Sequence, residues 1–266
     1  MPYGVLAVSH VYLGLKKELG MIQIIIPTYN ERDNIGKLIE AIFGLGIEDL
    51  WITVVDDNSP DKTGELVEDM KARFPRLDII HREKKEGLGR AYVAGFRKAL
   101  AQGAEIIFEM DADWSHNPEY IPQFLEAIRE NDLVLGSRYC RGGGVENWNF
   151  IRRLISRTGN LYAQFILWIP IKDVTGGFKC YRRKVLEAID LDSLESVGYN
   201  FQIETTYKAY KLGLRIKEIP IIFSERKEGK SKFNVRIMLE SFWKVIVLKL
   251  KSKIQSSNVK SNPKFK

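Results

Sequence analysis

Two aspartates one residue apart, Asp111 and Asp113, follow a short apolar run in "IIFEMDADWSHNP" (106–118). In an extended chain residues i and i+2 point to the same side, so a strand entering this pair converges both carboxylates on one spot. Like charges held together repel unless a cation lies between them, and hard divalent ions take carboxylate oxygens. The spacing therefore marks either a metal site at a strand end or a solvated acidic turn before a helix opened by Asn117-Pro118. A second acidic turn, "VVDDNSPDKT" (54–63), places Asp56 and Asp57 behind another apolar run. Carboxylates there can accept from base N–H or ribose hydroxyl groups, while Asp61 fits a helix cap. "PTYNERDNI" (27–35) sets polar residues where a strand gives way to a helix. Exposed amides at such a junction suit a nucleotide, and Asn30 and Asp33 fit ordinary capping equally well.

These turns need a scaffold, and the periodicity supplies one. Strands are expected at Ile22–Ile26, ended by Pro27, and at Trp51–Val55, Leu77–Ile80 and Glu105–Met110. Helical spacing covers Asp33–Phe43, Lys62–Arg73 and Leu88–Leu100. Strand–helix alternation of this kind predicts an α/β fold with a mostly parallel central sheet and helices on both faces. Ligands bind such sheets outside the carboxyl ends of the strands, and both acidic turns fall there. Further along, "RYCRGGGVENWNF" is a glycine-rich loop, 151–169 an apolar helix, and 173–183 a polar-to-aromatic turn and strand. Leu214–Phe223 reads as a strand broken by Pro220.

The chain of 266 residues is 45% apolar and 28% charged, enough to bury one α/β core with an appendage. No apolar stretch reaches the length of about 18 residues that a membrane span needs. Two cysteines, Cys140 and Cys180, are too few for a disulfide framework and fit a reduced, cytoplasmic setting. The net charge of +7 is local: seven lysines and no acid lie between Ser241 and Lys266, and the remaining 34 basic residues balance 34 acidic ones. A neutral body argues against nucleic acid as a partner, which would require basic stripes on the fold itself. It points to an anionic membrane surface near the C-terminus.

Two phosphate-loop readings fail. In "KEGLGRAYVAGF" Tyr92 occupies the third glycine position of G-x-G-x-x-G, and before "GKSK" (229–232) Ser224 stands where a P-loop needs its first glycine.

Taken in order, "IIPTYNERDNI", "VVDDNSPDKT", "EGLGRAYVAGF", "EMDADWSHNP", "LGSRY", "TGGFKCYRRKVL", "GYNFQIE" and "SERKEGKSKF" resemble glycosyltransferase family 2, the inverting GT-A enzymes that use nucleotide sugars. More narrowly, the set is similar to polyprenyl-phosphate (dolichyl-phosphate) mannose synthases, over about residues 22–240. The resemblance implies a single Rossmann-like nucleotide-sugar-binding domain over 21–233. Met21 opens the first strand directly, so 1–20 is expected to be an extension outside the native chain, and 234–266 an amphipathic interfacial helix with a basic tail.

It further implies that Asp111 and Asp113 hold Mg²⁺ or Mn²⁺, which bridges the donor diphosphate. Ser115 stands where some relatives carry Gln as a further ligand; a hydroxyl is shorter, so water can intervene. His116 is expected to pack at the helix entry. Pro27, Tyr29, Glu31 and Asp57 map onto the nucleoside pocket, with Asp56 beside them. Arg138, Arg152, Arg153 and Arg226 match phosphate-binding positions, with Ser156 as an extra donor; Asp113, Arg138 and Arg226 carry the catalytic expectation. The implied donor is GDP-mannose and the acceptor a polyprenyl or dolichyl monophosphate, already anionic because its second pKa is about 6. It needs no strong base. The obstacle is charge: each unit pair at about 4 Å repels by roughly 4 kcal/mol at an effective dielectric of about 20. Metal and arginines must offset it, and guanidinium forks suit phosphate oxygens. Glu204 either touches a substrate or orients basic neighbours, and Gly176-Gly177 allow close backbone approach.

The segment 237–250, "IMLESFWKVIVLKL", is apolar but interrupted by Glu240, Ser241 and Lys244. An interfacial helix on the cytoplasmic membrane face fits it, as does a terminal helix packed on the domain. Either peripheral binding suffices or a separate membrane-anchoring protein supplies the anchor. Within the family a UDP-sugar donor is the competing reading. A sugar-1-phosphate nucleotidyltransferase would need a glycine-rich loop where "PTYNERDN" stands, and an inert scaffold would have no use for the aspartates and arginines together.

Overall fold

The computed structural model describes residues 19–194, 198–224 and 242–252. Seven strands form the main sheet: β1 (Ile22–Thr28), β2 (Leu50–Asp56), β3 (Leu77–His81), β4 (Ile106–Glu109), β5 (Leu133–Ser137), β7 (Lys179–Arg182) and β8 (Ile216–Pro220). Their order is β3-β2-β1-β4-β7-β5-β8. Every pairing is parallel except those of β7, which is antiparallel to both β4 and β5. Continuous apolar runs suit strands covered on both faces, and Ile24, Ile25 and Ile26 are fully buried. A two-stranded ribbon joins β6 (Gly144–Val145) to β9 (Ile222–Phe223).

Helices α1 (Arg32–Gly44), α2 (Thr63–Lys71) and α4 (Ile121–Ala127) cover one face, where Ile35, Leu38, Val67 and Phe124 pack on Ile24, Ile26 and Phe108. Helices α3 (Leu88–Ala101), α5 (Phe150–Leu167), α6 (Arg183–Ala188) and α7 (Tyr199–Lys211) bury Phe96, Leu167, Val185 and Phe201 with Ile25 and Tyr181 on the other. A last helix spans 242–252.

The strands and helices expected between Ile22 and Phe223 form, with small shifts at their ends; residues 1–18 of the expected extension, 237–241 of the expected terminal helix and the tail from 253 lie outside the described residues. Pro27 lies inside β1 instead of ending it. β4 stops pairing at Ile25↔Glu109, so a proline two residues later removes no bond from that ladder. β5 escaped the pattern reading, and so did the reversed direction of β7. Pro220 ends β8, and the chain leaves for the ribbon at Ile222.

Candidate nucleotide-sugar and phosphate site

The strand order sets the carboxyl ends of β2, β1 and β4 side by side. Because β7 runs the other way, its start, preceded by Gly176-Gly177, reaches the same edge. β5 delivers Arg138 there from the far side of β7. The Asp56-Asp57, Tyr29-Glu31, Asp111-Asp113, Gly177 and Arg138 turns thus meet along one rim.

Asp111 is fixed from two sides. The Tyr92 hydroxyl donates to its Oδ1 at 3.0 Å, and its backbone N–H donates to His116 Nδ1 at 3.0 Å. His116 Nδ1 must therefore present a lone pair, and the ring is held by stacking on Phe178, centroids 4.9 Å apart. Tyr92 reaches the aspartate because α3 lies tight on the sheet: a Cβ at Gly95 would stand 2.2 Å from Ile25 Cγ2. The glycine-rich stretch that tempted a phosphate-loop reading serves this close packing. Trp114 takes φ +64°, a left-handed conformation uncommon for bulky residues. That turn brings the Ser115 N–H back to Asp113 Oδ1 at 3.1 Å. Ser115 Oγ is buried and meets no hydrogen-bond partner.

Arg138 is clamped. Its Nε and Nη2 donate to the two oxygens of Asp173, each at 2.8 Å, its backbone N–H donates to the same carboxylate at 3.0 Å, and Nη2 also donates to Thr175 Oγ1. Burial alone would raise the Asp173 carboxyl; the charge and hydrogen bonds of Arg138 outweigh it and hold it below the ordinary value. Tyr139, next in the chain, shares a hydrogen bond with Ser156 on α5, 2.8 Å apart. Arg152 lies over the Trp148 ring at 4.3 Å, and Arg153 donates to the Val145 carbonyl. Phe223 ties these parts together: its ring meets His116 and Trp148 edge-on and underlies the Arg138 guanidinium. Arg226 lies outside the described residues.

On the nucleoside side, Asp56 turns inward. It accepts from the Thr28 hydroxyl and from the N–H and hydroxyl of Ser59, locking β1, β2 and the turn together. Asp57 pairs with Arg82 at 2.5 Å; burial pushes its carboxyl up against the pull of that arginine. Pro27 pairs in register with Val55 in the β1–β2 ladder. Glu31 accepts from Asn34 Nδ2 at the start of α1, and the Lys85 ammonium sits 3.5 Å from the Tyr29 ring centroid. Asp61 accepts from the backbone N–H groups of Thr63 and Arg32, the first residues of α2 and α1. Glu204 pairs with Lys208 at 3.1 Å, the orienting alternative.

Beneath the rim lies a buried polar group that no motif marks. Glu109 accepts from the Tyr181 hydroxyl at 2.6 Å. Burial pushes its carboxyl up, opposed by the Lys179 charge and this hydrogen bond. Burial lowers Lys179 to about 8, against the attraction of Glu109 and Asp173. The lysine in "GGFKCYRR" and the glutamate in "FEMDAD" were legible as charges inside apolar strands.

A mostly parallel α/β sheet with an aspartate pair and a clamped arginine on its carboxyl rim has the architecture of a GT-A fold. The profile described as "Glycosyl transferase family 2" matches residues 23–190. The chain is 45% identical over 221 residues to the undecaprenyl-phosphate mannosyltransferase of Micrococcus luteus, covering 82% of this chain and 89% of that protein. It is 44% identical to the polyprenol monophosphomannose synthase of Mycolicibacterium smegmatis, with 84% of each chain covered. The fold matches the mannosyltransferase of Pyrobaculum calidifontis, solved with GDP-Man and Mn²⁺, at a TM-score of 0.60 and 18% identity, covering 94% of this chain and 74% of that one. This chain belongs to glycosyltransferase family 2 and is a glycosyltransferase.

Proposed function

We propose that the protein transfers mannose, with inversion, from GDP-mannose to a polyprenyl or dolichyl monophosphate at the cytoplasmic face of a membrane. The observation that carries this reading is the meeting, on one sheet rim, of the aspartate pair with an arginine held flat by Asp173. The named activities of the relatives in Micrococcus and Mycolicibacterium support the donor sugar and the acceptor class.

The residues fit a divalent cation. No group of three or more His, Cys, Asp or Glu stands in metal-binding geometry among the described residues. Mg²⁺ sites of this kind use one or two carboxylates together with substrate phosphates, and the orphaned Ser115 hydroxyl supplies a further oxygen. Asp111 and Asp113 would hold Mg²⁺ or Mn²⁺, with Ser115 directly or through water, and the ion would supply positive charge against the donor diphosphate. Arg138 meets the acceptor phosphate with its plane already set, so little rotamer freedom is lost on binding. Arg152, Arg153 and Ser156 approach from α5. The acceptor oxygen is anionic before it arrives, so no residue has to remove a proton from it.

The membrane reading rests on α5 and the 242–252 helix. Phe150, Leu154, Leu161, Phe165 and Trp168 are exposed at helical spacing along one stripe. Trp243 and Leu250 are exposed on the neighbouring helix, which is pinned to α5 by Tyr162 and Lys249 and to the core by the buried Val245. Exposed apolar side chains in such a row mark an interaction face; Arg157 and Thr158 are exposed between Leu154 and Leu161, and the row shares a helix with the proposed phosphate contacts. No helix among the described residues is long and apolar enough to cross a membrane.

The test is transfer of labelled sugar into the organic phase with short-chain polyprenyl phosphate. Label from GDP-mannose is the expected result. Label only from UDP-glucose would overturn the sugar while leaving the acceptor in place.

A further inference from the structure

Glu109 and Lys179 face each other directly across the antiparallel β4–β7 ladder, and neither has any exposed surface. A fully buried lysine is rare without a charged partner. Its Nζ donates to the Gln202 carbonyl and to Thr205 Oγ1, both at 2.8 Å, so it fastens α7 to the sheet. The Tyr181 hydroxyl, bonded to Glu109, lies 3.4 Å from the same Thr205 oxygen. A continuous chain therefore runs Glu109–Tyr181–Thr205–Lys179.

Its direction matters. Glu109 precedes Asp111 by two residues and feels its charge, whereas Lys179 is acted on by Glu109 and by Asp173, the residue that clamps Arg138. Glu109, two residues before Asp111, and Lys179 thus stand opposite each other behind the rim, on strands whose ends carry the aspartate pair and the Gly176-Gly177 turn. An apolar pair of equal volume would serve stability as well or better, so stability alone does not account for a charged one.

We propose that Lys179 is a positioning residue: it bonds β7 to α7 and, through Thr205 and Tyr181, holds Glu109 of β4 beneath the aspartates, and so sets the cation affinity of Asp111 and Asp113. This rests on the reading that those aspartates hold a divalent cation.

The experiment is Mn²⁺ titration by electron paramagnetic resonance of the free ion, in the presence of GDP, with thermal melting alongside. The variants are the neutral double Glu109→Gln/Lys179→Met and the single Tyr181→Phe. The double is expected to melt near wild type but to bind Mn²⁺ several-fold more weakly, less than the roughly tenfold or more that follows loss of a group bonded directly to a metal ligand. Tyr181→Phe should move the same way by less. An unchanged Mn²⁺ affinity in the folded double variant would overturn the proposal. If the double does not fold, unchanged affinity in Tyr181→Phe does so. Wild type that binds no Mn²⁺ would instead bring down the metal reading beneath it, and this inference with it.

Discussion

The Tyr92 hydroxyl donates to Asp111 Oδ1 at 3.0 Å from a helix that approaches the sheet as closely as Gly95 permits. Burial, with the charges of Asp111 and Glu109, holds the phenol well above its ordinary pKa, so it acts as a donor throughout the working range. Tyr92→Phe keeps the ring stacked on Phe201 and removes only this bond. The expected loss is about 0.5–1.5 kcal/mol in Mn²⁺-dependent nucleotide binding, measured by calorimetry, with little change in melting temperature.

Arg138 and Asp173 give a signed pH prediction. The folded carboxyl of Asp173 is lowered, so its contribution is present above the unfolded value of about 3.9 and is lost as pH falls through the folded one. In Arg138→Gln the carboxylate stays buried without its cation and its pKa rises above the unfolded value. That contribution then reverses, and stability falls as pH climbs through the raised value. Denaturant melts of both proteins between pH 3 and 7 check the opposed slopes. At neutral pH, breaking such a buried pair costs about 3–5 kcal/mol. Arg138→Lys, which cannot fork, should lower transfer roughly a hundredfold.

Much of this was readable from the chain, for physical reasons that can be named. Strands covered on both faces are continuous apolar runs, so β1, β2 and β4 announced themselves, and the acidic turns behind them followed. β5, "LVLGS", is apolar too, but it is short and its pairing with β7 is long-range. Asp111 and Asp113 were visible because their spacing is local. The Tyr92, His116 and Phe223 contacts were hidden because they depend on how α3, Phe178 and the ribbon pack. Asp173 was hidden because its partner Arg138 lies 35 residues away in the chain and only the fold brings them together.

Two glycines should separate packing from binding. A Cβ at Gly95 meets Ile25 far inside contact distance, so Gly95→Ala is expected to cost about 1–3 kcal/mol of stability. At Gly177 a Cβ would stand 3.4 Å from Gln202 Nε2 and His116 Cε1 and 3.8 Å from Asp111 Oδ2, tolerable contacts that narrow the rim. Gly177→Ala should therefore melt near wild type while donor affinity drops. Melting curves paired with nucleotide titration distinguish the two.

The exposed stripe predicts membrane behaviour. Replacing Phe165 and Trp168 by Ser together should weaken flotation with acidic liposomes without altering nucleotide binding, since both side chains stand in solvent. Loss of nucleotide binding would show that these residues support the fold instead.

The most direct test of the account is transfer from GDP-mannose to polyprenyl phosphate by wild type and Asp113→Ala, each after chelation and again after Mn²⁺ is returned. Wild type should lose transfer on chelation and regain it with the ion, and Asp113→Ala should stay inactive in both states while binding liposomes normally. Transfer that survives chelation, or that persists in Asp113→Ala, would contradict the claim that the aspartate pair holds the ion on which the reaction depends.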